Sequence, residues 1–271
     1  MVQAAPASGR AAAVSCCTVP GPFDVEGRVA IVTGASSGLG ARFVRVLADA
    51  GARVVLAARR EDRIAALATE LGHDRAVAVP ADVSDDDAVR RLVDAAVAHF
   101  GALDILVNNA GTTRVVRAIE ESSDSFRAVL EVNLVGLFAA CREAARVMIP
   151  AGRGSIVNVA SALGLVGLGR IPQASYTASK GAVVNLTREL AAQWSKHGVR
   201  VNAVAPGWFP SEMTAGMFED ERSMRYIERT VPMMRAGRAD ELDGVLLFLA
   251  SDASSYVCGQ TLAVDGGWTA V

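Results

Sequence analysis

Between residues 28 and 50 the chain runs from Arg28-Val-Ala-Ile-Val-Thr33 through Thr33-Gly-Ala-Ser-Ser-Gly-Leu-Gly40 into a stretch of helical spacing, Ala41 to Ala50. A short β-branched run between Gly27 and Gly34 reads as a buried strand. The glycine cluster reads as a tight turn, and the polar–apolar spacing after it as a helix. This strand–turn–helix unit constrains the chain strongly, because its pattern recurs. Further strands are predicted near 53–58, 75–79, 103–107, 154–159, 199–204 and 261–264, with amphipathic helical stretches between most of them. Strands that alternate with helices pair in parallel and need both faces of their sheet covered. The predicted fold is α/β: a doubly wound parallel sheet of about seven strands with helices on both faces. A ligand is expected at the carboxyl ends of the strands.

The first turn carries its own chemistry. At a helix start the free backbone N–H groups and the helix dipole receive an anion, and glycine lets the backbone come close to it. Gly34 suits the tight turn, Gly38 the approach to a phosphate and Gly40 the packing of helix on sheet, with Ser36, Ser37 and Leu39 in the same turn. A dinucleotide is the expected ligand. After the second strand, Ala58-Arg59-Arg60 offers no carboxylate for a ribose 2′-hydroxyl but two guanidinium groups for a 2′-phosphate. NADP(H) is therefore favoured over NAD(H), although both arginines also suit a solvated helix start.

Tyr176-Thr-Ala-Ser-Lys180 sets a phenol and an ammonium four residues apart, on one face of a helix. A tyrosine titrates near about pH 10, and a cation held nearby favours its ionised form, so the pair can move protons. The spacing alone is equally that of two side chains reaching for solvent.

Composition removes other classes. The 271 residues are 51% apolar with a formal charge of -2, which gives no basic field for nucleic acid. No apolar run approaches the roughly 20 residues of a bilayer span, so no membrane partner is expected. Cys16, Cys17, Cys141 and Cys258 form neither a disulfide framework nor a metal motif, and His73, His99 and His197 lack ligand spacing. No metal site is expected, and the cytoplasm is the expected compartment. Residues 1–22, rich in Ala, Ser, Gly and Pro, read as a flexible tail ahead of a single domain over 23–271. Residues 207–238 break the alternation: Trp208, Phe209, Met213, Met217, Phe218, Met224, Met233 and Met234 occur there without a strand signal. They read either as a small helical lobe over a substrate site or as a helical insertion whose methionines fill core.

Taken in order, the glycine turn, Asn108-Asn-Ala-Gly111 after the fourth strand, Ser161 and Tyr176-x-x-x-Lys180 resemble the short-chain dehydrogenase/reductase family over about 23–271. The resemblance implies a Rossmann-type fold and a nicotinamide cofactor. It makes Tyr176 the acid that protonates a carbonyl oxygen, or the base for the reverse oxidation. Lys180 would lower the tyrosine pKa and bind the nicotinamide ribose, and Ser161 would hold the substrate oxygen. Asn133 matches the asparagine that anchors a proton-relay water, and it also suits a helix kink. Asp82 and Val83 match an adenine-contacting pair, although Asp82 equally suits a helix N-cap before Asp85 to Asp87. Asn109, Ala110 and Gly111 would line the cofactor ribose. Pro206, Gly207, Phe209 and Ser211 occupy the stretch that grips the carboxamide, with Ser in place of the usual Thr.

Two departures bear on the substrate. The 15-residue interval from Ser161 to Tyr176 is longer than usual, and Trp208-Phe209 is bulkier than usual. With Leu163, Ile171, Trp208 and Met213 as walls, the pocket is expected to be apolar. The expected activity is NADPH-dependent, reversible reduction of a hydrophobic ketone to a secondary alcohol. A 3-oxoacyl reductase acting on carrier-protein or coenzyme A thioesters, an NAD-linked alcohol or hydroxysteroid dehydrogenase, and a catalytically silent nucleotide-binding regulator are the alternatives. Carrier-protein docking is weakened, because the arginines it uses in the family correspond to Ala139 and His197. The resemblance further implies a homotetramer, or a homodimer, acting on a small-molecule carbonyl or alcohol.

Overall fold

The computed structural model describes residues 21–271; positions 1–20 of the tail expected over 1–22, with Cys16 and Cys17, lie outside the described residues. The elements run β1 (Val29–Thr33), α1 (Gly38–Asp49), β2 (Arg53–Ala58), α2 (Glu61–Leu71), β3 (Ala76–Pro80), α3 (Asp86–Phe100), β4 (Ile105–Asn108), α4 (Ser123–Leu130), α5 (Gly136–Ala151), β5 (Gly154–Val159), α6 (Ala174–Trp194), β6 (Val199–Pro206), α7 (Ala215–Phe218), α8 (Glu221–Thr230), α9 (Asp243–Ala250) and β7 (Thr261–Val264). All seven strands join one sheet in the order β3-β2-β1-β4-β5-β6-β7, each pair parallel. Every predicted strand is present, with edges moved by a residue or two.

The alternation of side chains along each strand builds two cores. Val29 and Ile31 of β1 face a cluster filled by α3, α5 and α6. Ala30 and Val32 face the opposite cluster, filled by α1, α2 and α9. Ile31, Leu47, Leu56, Ile105, Leu106 and Ile156 are fully buried, each contributing about 1.5–3 kcal/mol relative to exposure. A third cluster centres on Trp208, Ile227 and Val231, with Leu168, Ile171, Met217 and Met224 packed against it. It is the core of the helical lobe expected over 207–238. Met217 and Met224 pack against this core, whereas Met213, Met233 and Met234 remain exposed.

Chain order reverses between β1 and β4. Connections leaving their carboxyl ends diverge, and a crevice opens there. Helix α1 begins at Gly38 rather than at Ala41, so the last glycines of the turn form its first helical turn. N–H groups in a first turn have no intrahelical partner, and glycine costs little there. Helix α3 is capped by Asp85, whose carboxylate accepts from the N–H groups of Asp87 (2.9 Å) and Ala88 (3.2 Å). Asp82 is not its N-cap. Residues Glu131–Val135 form a turn of π-helix that joins α4 to α5.

Candidate active site

The glycine turn after β1 is held from below. Thr33 Oγ1 accepts the N–H groups of Asn109 and Ala110, both at 3.0 Å, and Asn109 Nδ2 donates to Thr33 O at 3.1 Å. The turn after β1 and the turn after β4 are therefore one unit. Gly34 has φ +66, and a Cβ there would stand 2.9 Å from Ala110 Cα. Asn108 faces away, into a buried network with Asn158 (3.0 Å) and the Cys141 thiol (3.2 Å), so it braces the sheet. Burial pushes that thiol up to about 12, which makes it a structural group rather than a reactive one.

At the carboxyl end of β2, Arg59 is exposed and lies 3.8 Å from Asp82. Asp82 accepts from the N–H (3.0 Å) and hydroxyl (2.7 Å) of Ser84, which hold its carboxyl below the usual range. Arg60 donates to Ser36 Oγ (2.9 Å) and Ser37 Oγ (2.6 Å). It also pairs with Glu212, a residue from the lobe, at 3.0 Å. Arg60 thus stands over the serines of the turn while Arg59 faces Asp82, a polar cradle suited to an anionic ribose.

Ser161 follows β5, and its hydroxyl accepts the Leu163 N–H at 3.1 Å. Tyr176 and Lys180 lie on α6, as the helix-face reading requires. Lys180 is almost fully buried, and its Nζ donates to Val159 O at 2.7 Å and sits 5.7 Å from the centre of the Tyr176 ring. Burial pushes the Lys180 ammonium down to about 8. Burial raises the Tyr176 phenol above its ordinary value, and a hydrogen bond with the Ser161 side chain opposes it. Desolvation and the Ser161 hydrogen bond set the direction, and the expected lowering by Lys180 is not among its causes. Asn133 sits fully buried in the π-turn. It accepts from Thr112 N–H (2.7 Å) and donates to Thr112 O (2.9 Å) and to Ser179 Oγ (3.0 Å). Both of its N–H donors are engaged, so the side chain braces the kink beside the site.

One cleft of about 680 Å³ joins these groups, from Gly34, Ser37 and Arg60 at one end to Ser161, Tyr176 and Lys180 at the other. Ser36, Gly38, Leu39, Arg59, Asp82, Val83, Asn109, Ala110, Gly111, Pro206, Gly207, Phe209, Ser211 and Met213 also line it. Gly40 is buried beneath the turn. Of the four predicted substrate-wall residues, only Met213 lines this cleft. Leu163 is buried behind Ser161, and Ile171 packs into the lobe core. Trp208 turns its ring onto Trp268 (5.0 Å between centroids) and a separate cavity of about 320 Å³. The apolar signal in these residues came from the lobe needing a core of its own. The long interval after Ser161 reaches that lobe as well, with the Arg170 guanidinium 4.7 Å over the Tyr226 ring. Glu212, Arg63, Thr33, Ser179 and Arg114 were not anticipated. Only Thr33, at the strand–turn junction, had a local signal.

A crevice at the switch point of a parallel sheet, lined by a glycine turn, a buried Ser and Lys and a part-buried Tyr, defines an oxidoreductase of the Rossmann type. A family model described as enoyl-(acyl carrier protein) reductase matches residues 34–269. The chain is 44% identical over 247 residues to the cis-4-hydroxycyclohexanecarboxylate dehydrogenase of Sinomonas cyclohexanicum, covering 90% of this chain and 97% of that one. A gluconate 5-dehydrogenase from Burkholderia cenocepacia, solved in complex with NADP and tartrate, superposes with TM-score 0.87 at 39% identity, covering 92% of this chain and 98% of the other. A short-chain type dehydrogenase/reductase from Mycobacterium marinum superposes with TM-score 0.87 at 35% identity, covering 92% and 98%. The chain belongs to the short-chain dehydrogenase/reductase family.

Proposed function

We propose that the protein is an NADP(H)-dependent dehydrogenase/reductase that interconverts a secondary alcohol and its ketone on a compact, largely hydrophobic carbon skeleton. The observation that carries this reading is the continuity of the cleft, which is lined by the glycine turn and by Ser161, Tyr176 and Lys180 together. The Gly34–Gly40 turn fits a pyrophosphate, because Gly34 and Gly38 adopt a positive φ that side chains disfavour and, lacking Cβ atoms, leave the backbone open to approach. A bound nicotinamide would supply hydride to the carbonyl carbon, or accept it from the alcohol carbon.

The remaining chemistry belongs to the chain. Ser161 donates a hydrogen bond to the substrate oxygen and steadies the charge that develops there. Tyr176 gives that oxygen its proton in reduction and takes it back in oxidation. With its pKa raised by burial, Tyr176 stands protonated at neutral pH, as reduction requires. The Lys180 ammonium, which a ribose hydroxyl could accept from, steadies the phenolate left after transfer. Asn133 keeps the π-turn against α6, and Arg59 and Arg60 face the adenosine end, where no carboxylate stands at Ala58.

For the substrate, Arg114 also lines the cleft, and a guanidinium suits a carboxylate. The relative named for cis-4-hydroxycyclohexanecarboxylate joins an apolar ring to such a group. A ring alcohol or ketone carrying a carboxylate is thus the favoured class. The family description favours acyl thioesters as a second reading, but of the two positions corresponding to the carrier-docking arginines, Ala139 is buried.

The experiment follows reduced-nicotinamide absorbance with NADPH and NADH against ring ketones with and without a carboxylate, acyl thioesters and sugars. Fastest turnover of the ring keto acid with NADPH is expected, and Tyr176→Phe should lower it by about 10²–10⁴-fold. Preference for a thioester or for NADH would overturn the corresponding part. No turnover with any pair would favour a nucleotide-binding regulator.

A further inference from the structure

The cradle at the adenosine end holds an anion supplied by the chain itself. The Glu212 carboxylate accepts from Ser37 Oγ at 2.8 Å, from Arg60 Nη1 at 3.3 Å and from Arg63 Nη1 at 2.5 Å. Arg60 at the same time donates to Ser36 and Ser37. Two guanidinium groups and a hydroxyl converging on one group form the donor set of a phosphate. Three of these residues, Ser37, Arg60 and Glu212, line the cleft with the glycine turn. The carboxylate reaches the cradle from 149 residues beyond Arg63 in the chain, on the segment that leaves β6 for the lobe.

That segment is fixed close to the turn. Ser211 Cβ stands 3.4 Å from where a Cβ on Gly38 would be. Thr214 Oγ1 ties it down, donating to Phe209 O at 2.7 Å and lying 2.9 Å from Ser211 Oγ. A short, anchored tether gives the carboxylate a high effective concentration at the cradle. The three donors hold its pKa down at about 2, so it stays anionic throughout the neutral range.

We propose that Glu212 is a specificity-determining residue for the cofactor: an intramolecular anion seated on Ser37, Arg60 and Arg63 that a ribose 2′-phosphate must displace and a ribose 2′-hydroxyl need not. This rests on the reading of the cleft as a dinucleotide site. The affinity for a 2′-phosphorylated cofactor is reduced by the share of molecules in which the carboxylate holds the donors. A cofactor without the 2′-phosphate does not call on the two guanidinium groups, where most of the competition lies. Glu212 thereby narrows the NADP(H) preference that the arginines create.

Calorimetric titration of the wild type, Glu212→Gln and Glu212→Ala with NADPH, NADH, 2′,5′-ADP and 5′-AMP tests it. Glu212 is half-exposed, so both variants are expected to fold, with melting temperatures near that of the wild type. Both should bind NADPH and 2′,5′-ADP about tenfold tighter, the scale of one hydrogen bond to a charged group, with NADH and 5′-AMP changed less than about twofold. Equal tightening of both pairs would make Glu212 a general closure of the cleft and overturn the inference. Unchanged or weakened binding of the 2′-phosphorylated pair would also overturn it, while leaving the dinucleotide reading intact if the wild type binds. A wild type that binds none of the four removes both.

Discussion

Lys180 shows how a residue legible in sequence acquires its properties only in place. Its spacing from Tyr176 put both on one helix face, but burial decides its charge, driving the ammonium down to about 8 from an ordinary 10.5. Between these values the unfolded chain binds more protons than the folded one, so stability rises with pH across that window. Cys141 and Tyr176, both raised by burial, act in the opposite sense above about pH 9 and about pH 10, their unfolded values. Comparison with a chain lacking only the lysine isolates its contribution, because Cys141 and Tyr176 are then common to both. The urea midpoint of the wild type should rise from about pH 8 to about pH 9 relative to that of Lys180→Met, and parallel slopes would sink the assignment. Asn133 makes the same point for neutral groups. Its two readings were inseparable in sequence, because only the fold reveals that Thr112 and Ser179 occupy its donors.

Among the elements, the turn after β1 and helix α1 were readable because glycine placement is a local backbone requirement. The contacts behind that requirement are tertiary. A Cβ on Gly40 would run into the Gly34 carbonyl and meet Asn109 Nδ2, whereas Gly244, inside α9, faces open space. Gly40→Ala should cost about 1–3 kcal/mol through overpacking. Gly244→Ala should gain about 0.4–1 kcal/mol by restricting the unfolded chain. Thermal melts of the pair check this, and similar melting temperatures would refute it. The lobe was harder to read. Trp208, Leu168 and Ile171 carry the apolar signature of a pocket wall, yet they close the lobe's own core around Ile227 and Val231. Hydrophobicity reports that a side chain is buried and not what it is buried against.

At the scale of the whole molecule, apolar side chains remain at the surface. Val135 and Phe138 are exposed where the π-turn meets α5, and Tyr256 and Val271 near the carboxyl terminus. Scattered side chains of this kind call for no partner, and it is the family resemblance that implies a homotetramer. Light scattering should give a mass of about four chains at neutral pH, and a mass of 28.2 kDa would overturn that expectation.

Periodicity and glycine spacing, properties of neighbouring residues, were enough to determine the parallel α/β sheet, the glycine turn after its first strand and the shared helix face of Tyr176 and Lys180, whereas Ser161 was reached only through the family resemblance. Three other features depend on residues far apart in sequence but adjacent in space: the protonation of Lys180 and Tyr176, the partition of apolar residues between cleft and lobe, and the seating of Glu212 on Arg60 and Arg63. Tertiary structure alone decided these, because desolvation and ion pairing are set by what packs around a group and not by what precedes it.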